Sequence, residues 1–460
     1  MPEKTQQSVN YLTSGSISKN IVRFFLPIVV GSFLQQLYNT ADAIIVGKFV
    51  GKAALSAVGG TTGVIVNLIL GFFIGLSSGA TVIISQYYGA EDHENLERAV
   101  HSTIALCLAG GTVIAAIGTL SAPLMLKLVN TPADVLAYAL PYLRIYFLGT
   151  GGILFYIIGS GVLRAVGDSK GPLRVLLFCT VLNVGLDLLF VAGFRMETTG
   201  AALATILSQL FSAILVVRMI HRRGGAFRIR VRKIRFHGDL TRRICYIGLP
   251  AGAQSIMYAL SNLIIQTAVN GFGTDSIASW TVYGKIDAIF WMVMDAFGVA
   301  VTTFIAQNYG AGNLGRVKKG VNVCFKLCFG IAISLSAALY FLGGYLNVLF
   351  TDDAYVLQRS VEILHHMVPF FFTWVCIQVL ANSLRAMGDS LVPMLLIAFG
   401  VCGLRVVWVL FVAPLLPHIL EYTVCCYQIS WAFTSILFLI YYYKLAPIRK
   451  VLRGVTPSEI

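Results

Sequence analysis

Leu163-Arg164-Ala165-Val166-Gly167-Asp168-Ser169 returns as Leu384-Arg385-Ala386-Met387-Gly388-Asp389-Ser390, a displacement of 221 residues. The same displacement carries Gln86-Tyr87-Tyr88-Gly89-Ala90 onto Gln307-Asn308-Tyr309-Gly310-Ala311, Pro172 onto Pro393, and Leu189-Phe190-Val191-Ala192 onto Leu410-Phe411-Val412-Ala413. Leu26-Pro27 matches Leu249-Pro250 at 223, so a two-residue slip lies upstream. Four blocks in one register mark a duplicated unit, and duplicated apolar units are the signature of secondary transporters.

Hydrophobic residues make up 57% of the chain and charged residues only 12%. A soluble domain carries about 25% charged residues to cover its surface. With half that, most of this surface faces lipid. Apolar stretches of roughly 20 residues recur throughout, long enough to cross a ~30 Å hydrocarbon core. The first begins near Asn20 and many follow, so it reads as a span and not as a cleaved leader. Nine cysteines sit mostly within spans, and Cys324 and Cys328, which share a helix face, read as buried apolar residues.

Twelve spans are predicted, near 20–46, 56–86, 98–122, 137–164, 172–193, 200–221, 242–270, 276–308, 317–345, 356–386, 393–414 and 421–445. The expected fold is an all-α polytopic membrane protein of two six-helix bundles. Six crossings per repeat return the chain to its starting side, so a pseudo-two-fold along the membrane normal relates the bundles. The expected organisation is an N-terminal segment 1–19, an N-lobe 20–221, a basic linker 222–241, a C-lobe 242–445 and a tail 446–460.

The N-terminus, the even-to-odd connections and the tail, with the span ends beside them, hold 26 of the 34 Lys and Arg. The positive-inside rule then places both termini in the cytoplasm, in a plasma-membrane protein. The net charge of +14 is a topology signal, and no nucleic-acid partner is implied, because the basic run Arg222 to Arg243 lies beside lipid headgroups. Both Leu-Arg-Ala-x-Gly-Asp-Ser blocks fall at cytoplasmic span ends, where Gly and a following Pro predict a helix stop, a turn and a new helix. A gating role for Arg164 or Arg385 is the alternative.

Ionisable groups inside spans are costly and mark function by default. The first half offers Asp42 in span one and Asp187 in span five, with Asn183 one turn before it. Counting residues from the external ends puts Asp42, Asp187 and Thr205 at one level, roughly 6–9 Å below the boundary. These oxygens suit a coupling cation. Paired carboxylates repel and hold a proton, or the same oxygens bind Na⁺. The register sets Ile265, Leu404, Trp408 and Cys426 opposite Asp42, Asn183, Asp187 and Thr205, so the second half lacks the cluster. It has instead Lys285, Asp287 and Asp295 in span eight and Arg405 in span eleven, where the first half has Val66 and Ile74 opposite the two acids. Asp295 and Arg405 both count to mid-membrane and can pair structurally. Alternatively Asp295, with Tyr258, Trp280, Phe290, Trp291 and Met294, lines an acidic aromatic chamber for organic cations.

The chain resembles the multidrug and toxic compound extrusion (MATE) family, on its six-plus-six spans, on Gln35-x-Leu37-Tyr38-x-x-x-Asp42 ending in Val46-Gly47, on Gln-x-Tyr-Gly-Ala after spans two and eight, and on the Leu-Arg-Ala-x-Gly-Asp blocks. The resemblance implies an antiporter that exports organic, often cationic, compounds in exchange for H⁺ or Na⁺, needs no other cofactor and functions as a monomer. It implies a cation site at Asp42, Asn183, Asp187 and Thr205 and a bendable helix at Pro27. Gln35, Tyr38, Tyr258, Asp287, Trp291, Asp295 and Arg405 are the candidate substrate residues. Some members carry a carboxylate in span seven, whereas none lies between Arg243 and Asn270 here. A flippase for a lipid-linked sugar is the rival on the same scaffold, and would need a cationic cavity that only Arg144, Lys285 and Arg405 could supply. No nucleophile motif or His-rich cluster supports an enzyme.

Overall fold

A computed structural model describes residues 11–445. The expected tail lies outside the described residues. Each predicted span is a helix, and no strand occurs among the described residues. The helices are α1 (Ile17–Phe49), α2 (Lys52–Gly89), α3 (His93–Leu128), α4 (Ala133–Ala165), α5 (Lys170–Gly193), α6 (Glu197–Arg222), α7 (Gly238–Asn270), α8 (Thr274–Gly310), α9 (Leu314–Asn347), α10 (Ala354–Ala386), α11 (Leu391–Leu415) and α12 (Leu420–Leu445). All but α7 are both long and apolar enough to cross a membrane. Helix α7 is as long, at 33 residues. Its apolar run is broken by Gln254, Asn262, Gln266 and Asn270, two of which bond arginines: Gln254 accepts from Arg385 at 3.0 Å and Asn262 from Arg405 at 3.3 Å.

The quoted repeat is a helix stop in both copies. Asp168 N–H donates to Leu163 O (2.9 Å) and Gly167 N–H to Arg164 O (2.9 Å), while Asp389 repeats the first bond at 3.0 Å and Gly388 the second at 3.0 Å. This is a Schellman cap with glycine in the left-handed position, at φ 85° for Gly167 and 100° for Gly388. Asp168 then accepts from Gly171 N–H at 2.7 Å and starts α5. The Gln-x-Tyr-Gly-Ala blocks end α2 and α8 the same way. There the left-handed residue is Gly312 in the second copy (φ 72°) but Glu91 in the first (φ 56°).

The chain forms two compact units that do not coincide with the expected lobes. Among the described residues, one is Leu26–Gly252; the other joins residues 11–25 to residues 253–445. The division between the compact units falls at Phe25/Leu26 and Gly252/Ala253, inside α1 and α7, whereas the sequence reading set its lobe boundaries at 20 and 242. Packing explains the exchange. In the first unit Gly75 and Gly79 of α2 face Gly252 and Gly248 of α7 so closely that a Cβ on any of them would strike the opposite helix. In the second unit the start of α1 packs on α8, with Phe25 edge-on to Phe297 at 5.4 Å. Leu12, fully buried, gives its carbonyl to Asn308 Nδ2 at 3.1 Å, and Arg316 donates to Gly15 O at 2.8 Å.

Within the first unit α4 and α6 are in intimate contact. Gly149, Gly152 and Gly159 of α4 leave room for Ile206, Leu210 and Val216 of α6. Small residues let backbones approach where lipid gives no hydrophobic drive to association. That closeness brings Thr205 of α6 beside α4, next to the first unit's polar cluster.

Candidate functional site

Four helices build the cluster in the first unit. Helix α1 supplies Tyr38 and Asp42, α4 supplies Tyr142, α5 supplies Asn183 and Asp187, and α6 supplies Thr205. Asp42 is partly exposed, whereas Asn183 and Asp187 are completely buried. Assigned from its partners, the Asn183 amide nitrogen donates to Asp42 Oδ1 at 2.7 Å and to Asp187 Oδ2 at 3.3 Å. The two carboxyl groups are within hydrogen-bonding reach of each other. Asp187 Oδ1 is buried and meets no protein donor. Among the described residues neither acid forms an ion pair with Lys or Arg.

Two carboxylates this close repel each other, and a proton or a cation between them would offset that repulsion. The side chains of Tyr38 and Thr205 lie close to each other, and Tyr142 lies beside both acids. Tyr142 stacks on Tyr146 with centroids 6.1 Å apart, in a buried cluster with Ile45, Val46 and Ala202. Asp187 is the last residue of regular α-helix in α5; a π-helical turn, Leu188–Gly193, follows. Such turns occur frequently at functional sites because they re-aim side chains and loosen the backbone ladder.

A second polar site lies wholly within the second unit. A cavity of about 350 Å³ is lined by α7, α8, α10, α11 and α12, and Tyr258, Asp287, Trp291, Asp295 and Arg405 meet there. Four of the chain's five tryptophans, Trp280, Trp291, Trp374 and Trp431, also line it. Trp291 Nε1 donates to Asp287 Oδ2 at 2.7 Å, leaving Oδ1 without a partner. Asp287, Trp291 and Asp295 follow at intervals of four along α8, so one helix face presents an indole between two acids.

The expected Asp295–Arg405 pair does not form. Arg405 is 3% exposed and its guanidinium lies 4.1 Å from the Tyr427 ring centroid and 5.8 Å from that of Trp431. It donates to Ser430 Oγ at 3.1 Å and Asn262 Oδ1 at 3.3 Å. Hydrogen bonds and ring faces stabilise the buried cation, and Asp295 stays exposed to the cavity. Phe290 and Met294, placed in the chamber by the sequence reading, are fully buried instead; Met294 Sδ lies 3.8 Å from Cys328 Sγ. Tyr38 joins the carboxyl site, and Gln35 is no part of the cavity lining. The sequence reading missed Trp374, Tyr427, Trp431, Tyr142 and Asn262. Scarcity was a usable signal for the tryptophans: five in 460 residues, three of them in the last two spans and span ten. All nine cysteines are free.

The MatE family profile matches residues 27–189 and 250–411, one match per repeat. Similar proteins include the probable multidrug resistance proteins YpnP and YoeA of Bacillus subtilis. YpnP is 29% identical over 82% of this chain and 84% of its own length, and YoeA 26% identical over 93% of each. Among solved structures, a MATE protein in the bent conformation superposes with TM-score 0.88 over 97% of this chain and 99% of that one, at 21% identity. An outward-facing multidrug resistance MATE transporter also gives 0.88, over 98% of this chain and all of that one, at 21% identity.

Proposed function

Because the chain belongs to the MatE family of multi-pass membrane transporters, we propose that it is a proton-coupled exporter of organic, drug-like cations that works by alternating access. The observation that carries the coupling is the Asp187 oxygen buried without a protein donor beside the Asp42 carboxyl. A proton held between the two acids supplies the missing donor, and Asn183 donates to the other Asp187 oxygen and to Asp42 Oδ1. Loading one proton onto Asp42 and Asp187 from outside removes one of the two like charges and with it the repulsion, while release to the inside restores it. Tyr38 and Thr205 link α1 to α6 at the same level, so the charge change is felt by three helices. Pro27 lies two residues past the unit boundary in α1, and Pro250 two residues before the boundary in α7. A proline removes one ladder hydrogen bond, which makes these the compliant points of both helices.

The cavity in the second unit is the substrate chamber in this reading. Aromatic walls and two acids against one arginine favour a flat cation over a lipid pyrophosphate. The rival flippase function would want the opposite balance. The name "multidrug resistance protein", given to the Bacillus relatives, agrees with such a chamber.

The test is efflux of a fluorescent organic cation from proteoliposomes, driven separately by a pH gradient and by a Na⁺ gradient. The pH gradient is expected to drive transport and the Na⁺ gradient to have no effect. Transport driven by Na⁺ alone would overturn the proton assignment.

A further inference from the structure

We infer that the connection between α6 and α7 is a docking strip for anionic phospholipid headgroups of the cytoplasmic leaflet. One face of this connection is fastened to the first unit. Phe227 is buried with its ring 6.2 Å from that of Tyr88, Arg230 N–H donates to His101 Nε2 at 3.1 Å, and Lys233 bonds Glu97 at 2.9 Å. His237 N–H donates to Ser102 Oγ at 3.2 Å. Two short 3₁₀ turns, Gly225–Phe227 and Val231–Lys233, hold the chain between these anchors.

The other face has no counterpart among the described residues. The side chains of Arg222, Arg228, Arg230 and Arg232 are exposed, and among the described residues they form no ion pair. Between and beside them stand two large apolar side chains, Val231 at 82% exposed and Phe236 at 54%. Alternating bare arginines and bare apolar groups is an unstable surface in water but suits a bilayer interface. There guanidinium groups reach phosphates and apolar groups enter the acyl boundary. The strip begins where α6 ends at Arg222 and stops where α7 starts at Gly238, so it runs at the level of the helix ends. Fastening matters as much as charge. A loose basic loop loses conformational entropy on binding, whereas this one presents its arginines already ordered.

The strip's own arginines are trypsin sites, which supplies the test. Purified full-length protein is reconstituted into phosphatidylcholine bilayers with or without phosphatidylglycerol, and cleavage within residues 222–235 is followed. Phosphatidylglycerol is expected to slow cleavage about tenfold, the retention of one or two arginine contacts at an anionic surface. The variant Arg228→Gln with Arg232→Gln keeps Arg222, Arg230 and Lys233 as cleavage sites, and is expected to lose most of that protection. Phe236→Ser is expected to halve it. Substitution of exposed side chains leaves folding intact, checked by an unchanged elution volume. Equal cleavage of the wild type in both bilayers, fast or slow, overturns the inference. So does phosphatidylglycerol protection that survives the double substitution, since the contact would then lie elsewhere.

Discussion

Asp42 and Asp187 face each other with no basic ion-pair partner among the described residues, so in the proposed cycle their side-chain oxygens carry the coupling. Asp42→Asn and Asp187→Asn are each expected to reduce pH-driven efflux to background while leaving membrane insertion intact. Wild-type efflux from a well-folded double variant would remove the acids from the mechanism. Asn183 is a neutral donor to charged partners, a bond worth about 1.5–3 kcal/mol. Asn183→Ala is therefore expected to lower efflux about tenfold and not abolish it. In the second unit, the free Asp295 and the ring-stacked Arg405 separate two roles that a salt bridge would have merged. Asp295→Asn is expected to express at the wild-type level and to shift the relative transport of cationic substrates about tenfold, the scale of one desolvated cation contact. Poor expression rescued by Arg405→Gln would instead restore the ion-pair reading. Glu91 holds a left-handed conformation that costs a residue with a Cβ roughly 1–2 kcal/mol, where the matched position is Gly312. Glu91→Gly is expected to leave transport unchanged and to raise or hold the thermal midpoint; a clear fall would show that the Glu91 side chain earns its place.

Helices α1 and α7 carry the architecture, because each begins in one compact unit and ends in the other. The glycines that fasten α7 to α2 are intolerant of any side chain. Gly248→Val is expected to lower the midpoint of detergent-solubilised protein by several degrees, while Gly284→Val, at an open position of α8, is expected to have little effect. The α6–α7 connection adds a pH dependence. Partial burial, with Arg235 and Arg98 nearby, pushes the His237 imidazole below its ordinary range. A depressed folded value means that the undocked connection binds a proton more tightly. Docking is thus fully favourable above the ordinary value of about 6.5 and weakens as pH falls below it. Hydrogen exchange of residues 225–237 is expected to be faster at about pH 5.5 than at about pH 7.5 after correction for intrinsic rates. Equal protection at both would show that His237 does not control the contact.

For the whole molecule, the proposed cycle of one proton held by one carboxyl pair would set the energetics. Exchange of one H⁺ for one monovalent cation moves no net charge, so the membrane potential alone does no work on it. A tenfold proton gradient supplies about 1.4 kcal/mol and supports roughly tenfold accumulation of the cation. A neutral substrate would also gain about 2.3 kcal/mol per 100 mV. Imposed potentials without a pH gradient are therefore expected to drive neutral compounds and leave monovalent cations unmoved. Equal response of both classes to potential would contradict a single-proton cycle.

The duplicated blocks, the run of apolar segments and the Lys/Arg asymmetry are one-dimensional patterns. From them the sequence alone determined the helix count, the repeat, the membrane setting and the cluster Asp42, Asn183, Asp187 and Thr205. Depth along a helix follows from residue count at a fixed rise, which is why residues from three spans could be set at one level before any packing was known. Azimuth, close approach and partner choice are different, since they depend on which helix faces which. Tertiary structure alone decided that the start of α7 packs with the first repeat, because two glycine pairs on separate helices must meet before either has meaning. It alone decided that Arg405 stacks on Tyr427 and bonds Ser430 and leaves Asp295 free. Equal depth permits a salt bridge, but the direction of each side chain around its helix determines whether the charges meet.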